Sequence, residues 1–148
     1  MVGDMNTSPA SVLVIEKNPL MREALYAAIV GDPDLMVAAQ AVSCADVMDM
    51  VVTVKEDVVL LAFKPDIILL TFGNPGLQEM QTLMILRRSL PKTPILVLTM
   101  EELEIQGKVA LEAGASAVLR KTAPREELIC ALRKLRPCAR LPEKTGQV

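Results

Sequence analysis

PDIILLTFGNPG, residues 65–76, opens on a proline, passes through an unbroken apolar run and breaks at Gly73, Pro75 and Gly76. A run this short and this apolar suits a strand covered on both faces, as strands of a parallel sheet are. The expected strand is Asp66–Leu70. Outward from it, SVLVI at Ser11–Ile15, PILVL at Pro94–Leu98 and SAVL at Ser116–Leu119 share its character. LMVAAQAV at Leu35–Val42 is a fifth run, less continuous because Gln40 interrupts it.

Helical spacing fills the intervals. Asn18 is placed to cap a helix that has Pro19 in its first turn, with Met21, Leu25, Ala28 and Ile29 on one face. Leu77, Met80, Met84 and the stem of Arg87 mark a helix that Pro91 ends. Ile105, Val109 and Ala113 mark another, with Gly114 as a left-handed terminator. Pro124 opens the last helix, whose inner face is Leu128, Ala131, Leu132 and Leu135, and Glu126 and Glu127 favour its positive end. Alternating strands and helices with short loops imply right-handed crossovers and a doubly wound α/β fold: a five-stranded parallel sheet in order 2-1-3-4-5, with helices on both faces. Ligands of such sheets sit beyond the carboxyl ends of the strands, here Glu16–Asn18, Thr71–Gly76, Thr99–Met100 and Lys121–Thr122.

Composition narrows the function. The chain has 148 residues, 51% of them hydrophobic, and a formal net charge of −2, so a folded domain is expected and no general attraction to nucleic acid. The absence of histidine removes imidazole acid–base catalysis, Ser-His triads, imidazole metal ligation and phosphohistidine transfer. Cys44, Cys130 and Cys138 match no zinc spacing and read as idle thiols in a reducing compartment. No apolar run is long enough to span a bilayer and no secretory signal is visible, so the protein is expected in the cytoplasm. Residues 1–10 read as a disordered N-terminal segment, 11–136 as one domain, and 137–148 as a linker or loose tail.

VLVIEKNPLMREAL (Val12–Leu25), PDIILLTFGNPG (Pro65–Gly76), PILVLTM (Pro94–Met100) and EAGASAVLRKTAPREEL (Glu112–Leu128) together resemble response-regulator receiver domains, closest to those preceding LuxR-type DNA-binding domains. The resemblance implies a flavodoxin-like fold and a signalling module rather than an enzyme. In that family an aspartate ending the third strand accepts a phosphoryl group, an acidic pair after the first strand holds Mg²⁺, and a hydroxyl residue and a lysine bind the phosphate oxygens. Here the acceptor position holds Thr71, and the acidic pair reads Glu16 and Lys17. Thr99 and Lys121 match the remaining two parts, and Val118 occupies the position of a switch aromatic.

These replacements have chemical consequences. A threonine hydroxyl is a far weaker nucleophile than a carboxylate and needs an activating base, for which no histidine is present. An ammonium about 4 Å from Mg²⁺ would repel it by several kcal/mol at an effective dielectric of about 20. The resemblance therefore implies a pseudo-receiver, with no catalytic residue, metal or cofactor, acting through a protein partner or as a homodimer. DNA contact would come only through an output domain outside this chain, and no membrane contact is expected. An anion sensor using the former acidic pocket, with Lys17, Lys121, Thr71 and Thr99 as ligands, is the alternative. A Rossmann or flavodoxin-type enzyme is disfavoured, since no GxGxxG follows the first strand. Plainer readings stand beside these: Glu16 and Lys17 as a solvated turn, Lys121 as a surface lysine or the partner of Glu16, and Thr71 and Thr99 as strand caps or backbone-bonded hydroxyls. Gly73 and Gly76 read as turn geometry rather than a phosphate loop.

The segment Ala45–Ala62 is longer than receivers of this type usually carry there. Val47, Val51, Val54, Val58 and Leu61 recur at helical spacing and predict an unbroken helix, about 27 Å long against about 17 Å for a five-residue strand. Its projecting end is the expected interaction surface, most simply of a symmetric homodimer. The alternative, which the β-branched run and Lys55-Glu56-Asp57 permit, is a shorter helix followed by a packed loop.

Overall fold

The computed structural model describes residues 8–55, 58–61, 64–73, 76–100 and 103–137. Residues 1–7 and 138–148, and with them most of the expected N-terminal segment and tail, lie outside the described residues. Chain order is β1 (Ala10–Ile15), α1 (Pro19–Val30), β2 (Leu35–Ala41), α2 (Cys44–Val51), β3 (Val52–Lys55), β4 (Val58–Leu61), β5 (Ile67–Thr71), α3 (Leu77–Ser89), β6 (Ile95–Thr99), a π-helical turn (Leu103–Gly107), α4 (Lys108–Ala113), β7 (Ala117–Arg120) and α5 (Arg125–Leu135). β2-β1-β5-β6-β7 form one sheet, all parallel, which counted along its own strands is the expected order 2-1-3-4-5. Ala10, expected in the N-terminal segment, is the first residue of β1, where it is paired with Leu35.

Strand alternation divides the core. Leu13, Ile15, Ile68, Leu70, Ile95 and Val97 face a cluster with Val47, Leu83, Leu86 and Ala110. Val12, Val14, Ile67, Leu69, Leu96 and Leu98 face one with Leu25, Ile29, Leu128 and Leu132. β5 and β6 are buried along their whole length, whereas β2, at the edge of the sheet, alternates between covered and open positions. That is why its sequence was the least continuous of the five.

Asn18 caps α1 as expected, its Oδ1 accepting the Leu20 and Met21 N–H groups at 2.8 and 3.3 Å. Gly76 and Gly114 have φ of +81° and +122°. A Cβ on Gly76 would lie 3.0 Å from the Gly73 carbonyl oxygen and 3.2 Å from Phe72, so turn geometry accounts for this glycine.

Three expectations are corrected. First, the unbroken helix over Ala45–Ala62 does not form. α2 ends at Val51, and β3 and β4 follow as an antiparallel hairpin, Val52 opposite Leu61 and Lys55 opposite Val58. Val51, Val52, Thr53 and Val54 are consecutive β-branched residues, which lose rotamer freedom in a helix and favour extended backbone. Val47 is fully buried in the core, so it is no part of a projecting surface. Second, α3 buries Thr82, Leu83 and Leu86, while Leu77 and Met84 are 72% and 50% exposed. Apolar residues lie all round this helix, so its sequence spacing does not single out one face. Third, Ile105 and Val109 are exposed, and Gln106 and Ala110 are buried in their place. The π-helical turn widens the first coil of this helix and shifts its facing.

Candidate functional site

The carboxyl ends of β1, β5, β6 and β7 meet at one edge of the sheet. β1 ends at Ile15 and delivers Glu16 into the interior, 4% exposed. Its backbone N–H continues the ladder to the Ala41 carbonyl at 3.0 Å, and Arg22 of α1 donates to its carbonyl at 2.8 Å. Glu16 Oε2 accepts the Asn18 N–H at 2.8 Å. Oε1 is buried, accepts no hydrogen bond, and lies 3.6 Å from the Lys121 ammonium. Lys121 is held there because β7 ends beside β6, its N–H bonding the Thr99 carbonyl at 2.9 Å.

Lys17 points the other way. Its ammonium lies 3.4 Å from Glu79 Oε2 and donates to Gln78 Oε1 at 3.4 Å. Of the two plainer readings of Lys121, the partner of Glu16 is therefore the one found. Lys17 is claimed by the first turn of α3, where Glu79 also suits the helix's positive end. Thr71 closes β5, buried, and its hydroxyl donates to the Ile15 carbonyl at 3.1 Å. The backbone-bonded alternative for this residue is the one realised.

Glu16, Lys17, Asn18, Thr71, Gly73, Glu79 and Lys121 line one cavity of about 220 Å³. Four of the sequence-predicted positions, Glu16, Lys17, Thr71 and Lys121, are thus brought together. Thr99 is buried at the end of β6 and does not line the cavity. Val118 packs against the core cluster of the α3 side, opposite Val97. Val51, Val54, Val58 and Leu61 belong to the end of α2 and the hairpin and are not among the residues that line the cavity.

Two residues were missed. Glu79 supplies the carboxylate that answers Lys17, and the signal for it was an acid in the first turn after the glycine loop. Gln106, from the π-helical turn, donates to the Gly73 carbonyl at 3.5 Å; nothing local in the sequence announces that contact.

Chemically the arrangement is two carboxylates set against two ammonium groups, with a hydroxyl whose proton is already committed. One Glu16 oxygen is taken by a backbone N–H and the other faces a cation, and the next residue along the chain is Lys17. Among the described residues, no cluster of three or more acidic, cysteine or histidine side chains is arranged to hold a metal ion.

The chain matches the response regulator receiver domain family over residues 12–133. It is 28% identical over 127 residues to the nitrate/nitrite response regulator protein NarL of Escherichia coli (strain K12), covering 86% of this chain and 55% of that protein. The chain thus spans about half the length of the curated relatives it matches. Among solved structures it is similar to a LuxR-family two-component response regulator from Aurantimonas sp. SI85-9A1. That match has a TM-score of 0.71 and 23% identity, over 86% of this chain and 85% of that one. The receiver domain of the putative regulator NarL from Mycobacterium tuberculosis matches with a TM-score of 0.69 and 24% identity, over 86% and 95%.

Proposed function

This chain belongs to the response regulator receiver domain family of two-component signalling, and on that premise we propose that it signals without phosphoryl transfer, through contacts with protein partners. The observation that carries the reading is that both ammonium groups of the site are answered by carboxylates from within the chain: Lys121 by Glu16 at 3.6 Å and Lys17 by Glu79 at 3.4 Å. In a receiver that is phosphorylated, the lysine and the metal wait for an incoming anion. Here Lys17 stands where a metal-binding carboxylate would be, and its charge is compensated before any ligand arrives. Thr71 in the acceptor position donates its hydroxyl hydrogen to the Ile15 carbonyl and has no histidine to remove it. The domain on this reading rests in one state and presents a fixed surface.

The anion-sensing alternative is weaker on the same ground. Thr71 is engaged as a donor, and an anion would have to displace Glu16 or Glu79 from its lysine. Any DNA contact belongs, on this reading, to an output domain outside these 148 residues. The basis is that the chain covers only 55% of NarL from Escherichia coli. Among the described residues no helix is long and apolar enough to cross a membrane.

Incubation with acetyl phosphate and Mg²⁺, followed by intact-protein mass spectrometry, tests the reading. No phosphoryl adduct is expected. A stoichiometric adduct on any residue lining the cavity would overturn it.

A further inference from the structure

A second cavity, of about 370 Å³, adjoins the one of about 220 Å³ and shares Lys17, Thr71 and Glu79 with it. It lies between the turn from β2 into α2 and the first turns of α3, over the ends of β1 and β5. Its size is that of a small-molecule site. Two sets of hydrogen bonds preform it. Ser43 Oγ accepts the Asp46 N–H at 3.3 Å and Asp46 Oδ2 accepts the Val42 N–H at 3.1 Å, a reciprocal cap that fixes the turn carrying Val42 and Cys44. Thr71 and Thr82, both buried, give their hydroxyl hydrogens to the Ile15 and Gln78 carbonyls at 3.1 and 3.0 Å. An apolar group can therefore be laid against these two threonines without leaving a donor unpaired.

The lining specifies the ligand. Ile15 and Leu70 are buried at their strand ends, while Val42 and Ile85 are exposed apolar side chains on the two flanking elements. A hydrophobic group between them would remove apolar surface from water. Among the described residues that line the cavity, Lys17 and Glu79 are the only charged ones, with ammonium and carboxylate 3.4 Å apart. A simple anion would part this pair and leave Glu79 unanswered, and a simple cation would do the same to Lys17. A zwitterion brings a charge for each. The Lys17 side chain is 57% exposed against 13% for Glu79, so the lysine is the partner that can swing into solvent to admit a head group, and opening so exposed a pair costs little. In an α-amino acid both charges and the side chain branch from one carbon, so a head group on this pair sends its side chain onto the apolar walls.

We propose that this cavity binds a free α-amino acid with a large apolar side chain. Its ammonium meets Glu79, its carboxylate meets Lys17, and its side chain lies between Val42 and Ile85 over Ile15 and Leu70. The site goes beyond the phosphorylation-independent reading. A phosphoryl adduct would overturn that reading and leave this one standing, and a failure to bind amino acids would do the reverse.

Amide NMR titrations of the whole chain with L-leucine and L-phenylalanine provide the test. Saturable shifts are expected at residues 42–45 and 78–85. Leucine amide, which lacks the carboxylate, and N-acetylleucine, which lacks the ammonium, are each expected to bind about tenfold more weakly than leucine. Glu79→Gln removes the partner of the ammonium and should weaken leucine binding to the level of N-acetylleucine. Ala45→Phe, at an exposed position in the first turn of α2, fills the cavity and should abolish the shifts with unchanged circular dichroism; it serves as the test if the first variant misfolds. The proposal is overturned if neither amino acid gives saturable shifts, or if leucine and its two derivatives bind equally. Shifts that persist in both folded variants overturn it as well.

Discussion

Glu16 and Lys121 show how one buried charge constrains its neighbours. Glu16 Oε1 accepts no hydrogen bond and relies on an ammonium 3.6 Å away that is itself largely covered. Removing one partner of such a pair leaves the other charge buried and uncompensated, which costs more than the pair contributes. Lys121→Met is therefore expected to lower stability by about 1–2 kcal/mol in urea unfolding. Lys17 has more than half of its side chain in solvent, so Lys17→Met is expected to change stability by less than about 0.3 kcal/mol. Equal effects of the two substitutions would remove the distinction. At this scale the sequence was partly legible. Glu16, Lys17, Thr71 and Lys121 were recognised from their places at strand ends. Glu79 was not, because it joins Lys17 across 62 positions of chain, and only the folded loop geometry brings the two together.

Among the elements, a charged link joins the end of α1 to α5. Asp32, buried in the turn after α1, accepts the Asp34 N–H at 2.7 Å and the Arg133 Nε and Nη2 at 3.0 and 2.8 Å. Arg133 and Arg136 also reach Asp34, at 3.2 and 3.5 Å. Burial pushes the Asp32 carboxyl up. The Asp34 amide, the bonds and charge of Arg133 and the charge of Arg125 outweigh it and hold the carboxyl below its ordinary value. A depressed carboxylate stabilises the fold fully above the unfolded value, about pH 4, and that contribution disappears as pH falls through the folded value. Asp32→Asn should therefore be less stable than the native chain at pH 7, with the gap narrowing as the solution is acidified towards about pH 3. Chemical unfolding at a series of pH values checks this; a gap that widens on acidification contradicts it. The strands were legible because burial on both faces writes itself as unbroken apolar runs. The facing of α3 was not, since Leu77, Met80, Leu83, Met84, Ile85 and Leu86 surround the helix and only packing chooses among them. The hairpin lay within reach: four β-branched residues in succession already argued against a helix, and a stripe at helical spacing was given more weight than they were.

For the whole molecule, the sheet delivers four loops to one edge, where Lys121 pairs with Glu16 and Lys17 with Glu79 of α3. The fold is that of a receiver, and the proposed function takes the charges at this edge to be compensated from within the chain. Backbone amide NMR spectra of the chain, recorded alone, with Mg²⁺, and with Mg²⁺ and beryllofluoride, test that claim most directly. Beryllofluoride takes the place of a phosphoryl group only where a carboxylate acceptor and a metal site exist together. The account predicts spectra that superimpose, with the resonances of Glu16, Thr71, Thr99 and Lys121 unmoved. Stoichiometric, saturable shifts centred on those residues would contradict it.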